Sequence, residues 1–547
     1  MKYSKFLNFF SLVPASLCIS ALVAFPLIVI LWMSAQGDSS TWQHIQATLL
    51  PEYISNSLAI MLGVALFSLL LGVGSAWIIA RYQFGGRSTL QWMLLLPLAM
   101  PGYITAYSYT GLLDVPGPIQ TYIRERLNLN YGEYWFPNIH SLGGAIFVLS
   151  AVLYPYIYLL ARSAFAEQPS SLERSSTLLG TNRIKRFWLI SLPIARPAIA
   201  AGLALTLMET LSDYGTVAYF GISTFTTGIF RAWLGMGEIN SAAQLSLILM
   251  LFVVALMALE QYSRHRARFF EKGNHSKHIL IKLNAKGSSI AFILCSIPLL
   301  IGFIIPNIQL VYWAIGTFSD VVDEHFYQLA LNSLSLAMAT AVIAISLALI
   351  LSTAKRINAH NYLVSFAHKV VISGYAIPGT VIAVGLLSPV VYFDKALIKL
   401  LKTSFDIEIG LILSGTIAAL IIAYLVRFLS VSVQTIDSGF KKIPPQIEQA
   451  AQSLGASNKS LLWHIHIPII STSILTAGLI VFVDVMKELP ATLLLRPFNF
   501  NTLAIKSFEL ASDEQLAEAA PAALAIVLFG LIPVILLSKT IQRQPTK

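Results

Sequence analysis

Twelve times between Phe10 and Ser538 the chain enters an apolar stretch of about twenty residues, the length at which an α-helix crosses roughly 30 Å of hydrocarbon. The stretches read 10–32, 56–80, 90–113, 141–161, 197–219, 242–261, 288–315, 331–353, 370–392, 409–426, 473–495 and 519–538. Backbone surrounded by lipid has to satisfy its own hydrogen bonds, so runs of this kind dictate a bundle of helices. With 56% hydrophobic and only 11% charged residues, the chain lacks the polar surface of a soluble domain. The expected fold class is an all-α polytopic membrane protein with about twelve transmembrane helices.

The first stretch follows Lys2 and Lys5 but is long and has no small-residue cleavage site, so it reads as a retained helix rather than a secretory signal. Leu17 before Cys18 argues against a lipoprotein signal. If both termini are placed on the cytoplasmic side, 27 of the 36 lysines and arginines fall on inner segments and 8 on outer ones, with Lys487 inside a span. That bias predicts a multi-pass protein of the bacterial inner membrane with cytoplasmic termini. It also accounts for the net charge of +10 without a nucleic-acid partner. The basic cluster RHRARFFEKGNHSKH from Arg264 falls where a solvated linker, residues 263–287, would join two halves. Cys18 and Cys295 sit in separate apolar spans and supply neither a disulfide framework nor a metal cluster. His464 and His466, two apart, do not share a helix face, and no stable metal site is expected.

An internal repeat organises the rest. Gly180 and Gly455, Pro193 and Pro468, Glu209 and Asp484, Asp213 and Glu488, Thr227 and Thr502, and Arg231 and Lys506 are all 275 residues apart. Upstream, the NSL at Asn56 returns at Asn332 and Pro101-Gly102 returns as Pro378-Gly379. The chain therefore reads as two tandem six-helix repeats, residues 1–262 and 288–547, and an even helix number makes the repeats parallel.

Each repeat carries one polar segment between its fourth and fifth spans, within residues 163–196 and 431–471. These are ERSSTLLGTNRIKRFWLISLP from Glu173 and EQAAQSLGASNKSLLWHIHIP from Glu448. In both, a glycine follows the glutamate by seven residues and a proline follows the glycine by thirteen. That order predicts a short helix ended by a left-handed glycine, a second short amphipathic helix, and a proline opening the next membrane helix. Leu178, Leu179, Phe187 and Trp188 in one copy, and Leu454, Leu461, Leu462 and Trp463 in the other, would let the projection fill a groove on a partner. The same residues would equally suit a helix lying flat in the membrane interface.

The second segment resembles the cytoplasmic loop of ABC importer permeases through Ala450, Ala451, Gly455 and Pro468. The first resembles it more loosely through Gly180, Leu192 and Pro193. Glu173 and Glu448 each stand one position ahead of the glutamate of the family pattern. Across both halves the chain is similar to fused twelve-span permeases of the ferric-ion importer type. The similarity is carried also by PGYITAYSYTGLLDVPGPIQ from Pro101, LSDYGTVAYFGISTFTTGIFRAW from Leu211, and KELPATLLLRPFNFNTLAIKSFELASDEQLAEAAPAAL from Lys487. The resemblance implies a periplasmic iron-binding protein that delivers substrate and a cytoplasmic ATPase, in two copies, gripped by the two loops. No G-x-x-x-x-G-K-[ST] occurs, so the chain is expected to bind no cofactor, to be no enzyme, and to leave ATP to its partner.

Carboxylates inside apolar spans usually face a bundle interior, a cavity or a partner. Glu209 and Asp213, and again Asp484 and Glu488, have i,i+4 spacing, which puts each pair on one helix face and would suit transient passage of a hard cation. A local pairing with Lys487 or a solvated helix end explains the pattern without a substrate. Architecture alone also admits permeases for thiamine, polyamines, phosphonates or sulfate-like anions, and a secondary transporter driven through the same carboxylates. Residues 219–241 and 495–517 are the segments expected to receive the binding protein, or else serve as plain connections.

Overall fold

The computed structural model describes residues 2–36, 39–168, 181–265, 280–406 and 410–542. It is built almost entirely of helices, and among the described residues eleven helices are long and apolar enough to cross a membrane. The one expected span without such a counterpart is 90–113. There the chain forms Arg87–Met93, a 3₁₀ turn Leu96–Ala99 and the twelve-residue helix Gly102–Leu113. Pro97 and Pro101 remove two backbone donors and break the helix. What remains rises only about 18 Å, too short to cross alone. The second repeat breaks at the corresponding place, with Tyr362–Ser373, a 3₁₀ turn Gly374–Ala376, Pro378, and then Gly379–Phe405.

A second regularity surrounds the repeated prolines. Pro193 and Pro468 were expected to open membrane helices, yet each lies well inside a longer continuous helix, Ile184–Ser212 and Asn458–Met486. In each case one π turn immediately precedes, Phe187–Ser191 and Leu462–His466, and these coincide at the 275-residue offset. Leu192 donates its N–H to the carbonyl of Phe187, and Ile467 donates to that of Leu462, five residues back. The widened turn accommodates a ring that would otherwise clash with the carbonyl four residues earlier, so the helix continues past its proline.

Two compact units emerge, and they interlace the sequence repeats. One comprises Met1–Gln43, Ile229–Met250 and Asp323–Lys506. In it the first span, Leu12–Ser34, packs on Tyr362–Ser373 and Gly379–Phe405 of the second repeat, burying Val23, Ile30 and Met33. Glu324–Ile357, Ile417–Phe440 and Ile467–Met486 pack on one another beside it. The other unit comprises His44–Gly228, Leu251–Val322 and Ser507–Lys547. Its three mutually packed helices, Leu50–Arg81, Leu142–Ala166 and Leu192–Ser212, are the same three positions of the first repeat. The first helix of the second repeat joins them, with Ile305–Val321 against Leu516–Gln542.

Lipid tails are as apolar as leucine, so close packing rather than escape from water holds such helices together. Ala76, Ala161 and Ala195 accordingly sit fully buried in the core of this unit with Ile79, Tyr154, Ile157, Tyr158 and Phe165. The buried phenols are satisfied: Tyr154 donates to the Leu94 carbonyl at 3.0 Å and Tyr158 to that of Gln91 at 2.8 Å. A two-residue parallel pairing joins Tyr82–Gln83 to Ile281–Lys282 at the end of the basic connection. The rest of that connection falls largely on residues 266–279, outside the described residues.

Candidate functional site

The repeated polar segment of the second half begins where Ile417–Phe440 ends. Ile443 is buried, Pro444 is extended, and Pro445 opens the short helix Pro445–Ser453 from its first turn, where a missing N–H costs nothing. Gly455 takes φ +86°, the left-handed conformation the glycine pattern called for. Ala456 N donates to the carbonyl of Ala451 and Gly455 N to that of Gln452, both at 3.0 Å, which closes the last turn. Ser457 then caps the next helix, its hydroxyl accepting from Ser460 N at 3.2 Å.

Exposure sorts the apolar residues of this segment. Leu454 is 90% and Trp463 59% exposed, whereas Leu461 is buried at 3% and belongs to the core rather than to a docking face. In the first repeat Trp188 is 61% exposed, but Phe187 is half-buried and packs against Trp77 and Phe165, with ring centroids 5.1 and 6.3 Å away, on the edge of the core. Ala450 is exposed and Ala451 half-buried, as are Leu462 and Leu192, while Pro193 and Pro468 face outward. Glu173, Leu178, Leu179 and Gly180 lie outside the described residues.

Glu448 points back at its own chain. Its Oε1 accepts from Arg356 Nε at 3.0 Å and from His466 Nε2 at 2.9 Å. The same guanidinium donates to the carbonyls of Ile443 at 2.8 Å and Phe440 at 3.3 Å, and Phe440 meets the His466 ring edge-on at 5.2 Å. A carboxylate takes donors only, so His466 carries its proton on Nε2. Arg356 did not stand out in the sequence and His466 was weighed there only as a metal ligand beside His464, because the partner they share lies 92 and 18 residues away from them.

The intramembrane carboxylates occupy places that helical spacing alone did not predict. Leu192–Ser212 ends one residue before Asp213, and Ile467–Met486 ends two residues before Glu488, so neither member shares a continuous helix face with Glu209 or Asp484. Each carboxylate instead caps the short helix that follows. Asp213 accepts from Thr216 N at 3.0 Å, Val217 N at 3.2 Å and the Thr216 hydroxyl at 3.0 Å, heading Gly215–Tyr219. Glu488 accepts from Ala491 N and Thr492 N, both at 3.1 Å, heading Pro490–Leu495. Capping places negative charge against a helix start, where free N–H groups point outward.

The repeated Pro-Gly pairs meet these carboxylates. A Cβ on Gly102 would fall 2.6 Å from the Thr216 hydroxyl and 3.4 Å from Asp213 Oδ2, and one on Gly379 would fall 2.6 Å from Glu488 Oε1. Each carboxylate therefore stands between the starts of two helices in its own repeat. In the second repeat Arg427 adds a cation, its Nη1 3.7 Å from Glu488 Oε1. Asp484 pairs with Lys487 at 2.9 Å, the local alternative considered above, and Glu209 is half-buried within Leu192–Ser212. Among the described residues no three His, Cys, Asp or Glu side chains converge as metal ligands.

The repeated asparagines also have parallel tasks. Asn56 Nδ2 donates to the Ser223 carbonyl at 2.9 Å and Asn332 Nδ2 to that of Asn501 at 3.2 Å, pinning the segment after each short capped helix.

No family model matches the chain. An Fe(3+)-transport system permease protein of Haemophilus influenzae is 28% identical over 518 residues, covering 94% of both chains. A molybdenum transport system permease protein of the same organism is 25% identical over 228 residues, which is 40% of this chain but 96% of the relative. A sulfate transport system permease protein of Salmonella typhimurium is 26% identical over 155 residues, 28% of this chain and 53% of its own. A single-length permease thus spans less than half of this chain, as a duplicated permease requires. Matched end to end by one relative and over one portion by shorter ones, the chain is similar throughout its length to an Fe(3+)-transport system permease protein and, over part of it, to shorter transport permeases.

Proposed function

We propose that this chain is the membrane-spanning subunit of an importer that moves ferric iron across the bacterial inner membrane. The iron is delivered by a periplasmic binding protein, and transport is driven by two copies of a separate ATPase subunit docked on the repeated polar segments. Both termini are cytoplasmic in this reading, which puts the Pro445–Ser453 helix and the exposed Leu454 and Trp463 on the ATPase side. The observation that carries the substrate is the end-to-end similarity to an Fe(3+)-transport permease, against partial similarity to permeases for oxyanions.

Glu209, Asp213, Asp484 and Glu488 supply negative charge along the route of a hard cation. Asp213 and Glu488 also hold the broken helices in place, and all four have chain partners of their own, so passage is by brief contacts rather than by a ligand cage. Tight ligation would trap the cargo.

The test is uptake into sealed vesicles holding this chain, its co-purifying ATPase and its binding protein, offered ferric iron, molybdate, thiamine or a polyamine, with and without internal ATP. Ferric accumulation that depends on ATP is expected. Uptake that ignores ATP and follows an ion gradient would overturn the class. ATP-driven uptake of another solute would retain the class and replace the substrate.

A further inference from the structure

One arrangement recurs in both repeats at positions the resemblance does not mark. Arg81 and Arg356, 275 residues apart, each stand in the last turn of the second membrane helix of their repeat, Leu50–Arg81 and Glu324–Ile357. Arg81 donates through Nη2 to Gln168 Oε1, and Gln168 Nε2 donates to the Ser191 carbonyl at 2.8 Å. Arg356 donates through Nη2 to the Ile443 carbonyl and through Nε to Glu448, which His466 also holds. Gln168 and Ile443 are themselves 275 apart, and so are Ser191 and His466, the closing residues of the two π turns.

The same three points are therefore joined twice: the end of a membrane helix, the entry to the polar segment, and the wide turn where that segment rejoins the membrane. The chemistry differs between copies. Arg81, Gln168 and Ser191 are almost wholly buried, at 4%, 4% and 2% exposure, and Arg81 also lies over the Trp77 ring at 5.0 Å. The second copy replaces the neutral amide with a charged carboxylate on the short helix itself, and there the Arg356 and Glu448 side chains are 23% and 19% exposed. Arg356 uses all three guanidinium nitrogens, Nε to Glu448, Nη1 to the Phe440 carbonyl and Nη2 to that of Ile443, and lysine's single compact ammonium does not reproduce the span of that rigid planar fork.

We infer that Arg81 and Arg356 are positioning residues that fasten the root of each coupling segment to the second membrane helix of its repeat, so that movement of the docked ATPase is passed to that helix. The inference rests on the reading of the polar segments as ATPase docks. Without the fastening, the polar segment would still present Leu454 and Trp463 to the partner, but its displacement would be taken up at Ile443 and in the wide turn instead of moving the bundle. Assembly would survive and coupling would not.

The experiment uses the complete complex of chain, ATPase and binding protein in proteoliposomes, and measures ferric iron moved per ATP hydrolysed together with ATPase co-purification. Arg356→Gln should retain the ATPase and lower the ratio by about tenfold, within the range by which residues along a coupling path alter it. Arg356→Lys should recover only part of it, and Arg81→Gln should lower it in the same way. Glu448→Gln, which preserves shape while removing the charge, provides the gentler variant should Arg356→Gln fail to accumulate. An unchanged ratio in Arg356→Gln or Glu448→Gln complexes overturns the inference, as does loss of assembly with normal coupling in the complexes that remain. The wild-type complex separates the two levels of argument: if it binds no ATPase, the docking reading itself falls, whereas a coupled wild type with equally coupled variants removes only the fastening.

Discussion

Arg427 and Glu488 form an ion pair, 3.7 Å from Nη1 to Oε1, between side chains only 9% and 2% exposed. One repeat earlier the position of Arg427 is occupied by Val152, so the pair is confined to the second copy. Removing one partner of a buried pair leaves a charge without compensation, at a cost of about 3–5 kcal/mol. Arg427→Met should therefore lower the melting temperature of the detergent-solubilised protein sharply, and Arg427→Met combined with Glu488→Gln should recover most of the loss. A double variant as unstable as the single one would show that Arg427 matters through its packing on Phe428, 5.3 Å away, rather than through charge.

Asp213 offers a way to separate charge from capping. Asparagine caps a helix about as well as aspartate does, so Asp213→Asn should accumulate normally and melt near the wild type. If charge along the route matters, its ATP-driven ferric uptake should fall, while Asp213→Ala should lose both uptake and stability. Wild-type uptake by Asp213→Asn at normal protein level would remove Asp213 from the route and leave it the capping role alone.

Gly379 is held to its identity by proximity rather than by dihedral angle, since an added methyl would come within 2.6 Å of Glu488 Oε1 and 3.3 Å of Arg427 Nη1. Gly379→Ala should destabilise by about 1–3 kcal/mol, the usual range for overpacking. Gly74, with nothing within 4 Å of its would-be Cβ, supplies the control, and Gly74→Ala should be neutral in the same melting assay.

Gly455 presents the opposite case: open space around it, but φ +86°. A branched residue there incurs the left-handed penalty of about 1–2 kcal/mol. Gly455→Val should loosen ATPase co-purification with little change in overall melting temperature, and Gly455→Asn should be milder. A Gly455→Val complex that co-purifies with a fully stimulated ATPase would remove the turn from the docking surface.

Leu454, 90% exposed, tests what the projection touches. Leu454→Asp should leave stability within about 0.5 kcal/mol of wild type, as exposed substitutions usually do, while reducing ATPase binding. Unimpaired ATPase binding accompanied by weaker attachment of the segment to lipid would favour the interfacial alternative.

Much of this was legible along the chain. Span length reveals membrane helices because the bilayer thickness is constant, and a tandem repeat reveals itself because both copies answer to the same bilayer and the same turn geometry. The left-handed Gly455 could be anticipated from its place after a short helix, since few other residues accept that conformation.

What the linear pattern could not supply depends on separation in sequence. Helical spacing put Asp213 and Glu488 on membrane helices, but the chain breaks before each, and their carboxylates turn to cap the next helix because the free N–H groups of its first turn lie within reach. The span at 90–113 looks continuous by hydropathy, which does not register the donors lost at Pro97 and Pro101. Periodicity did not distinguish Phe187 and Leu461 from their exposed neighbours, since burial on a short projection depends on what packs against it. The partners of Arg81, Arg356 and Arg427 lie tens of residues away, and a cation in an apolar run carries no mark of the carboxylate or carbonyl it will meet. Sequence alone thus determined the membrane, the duplication and the turn chemistry, all governed by local geometry. Tertiary structure decided which helix of one repeat packs with the other and which charges pair, because those outcomes depend on close approach between distant segments.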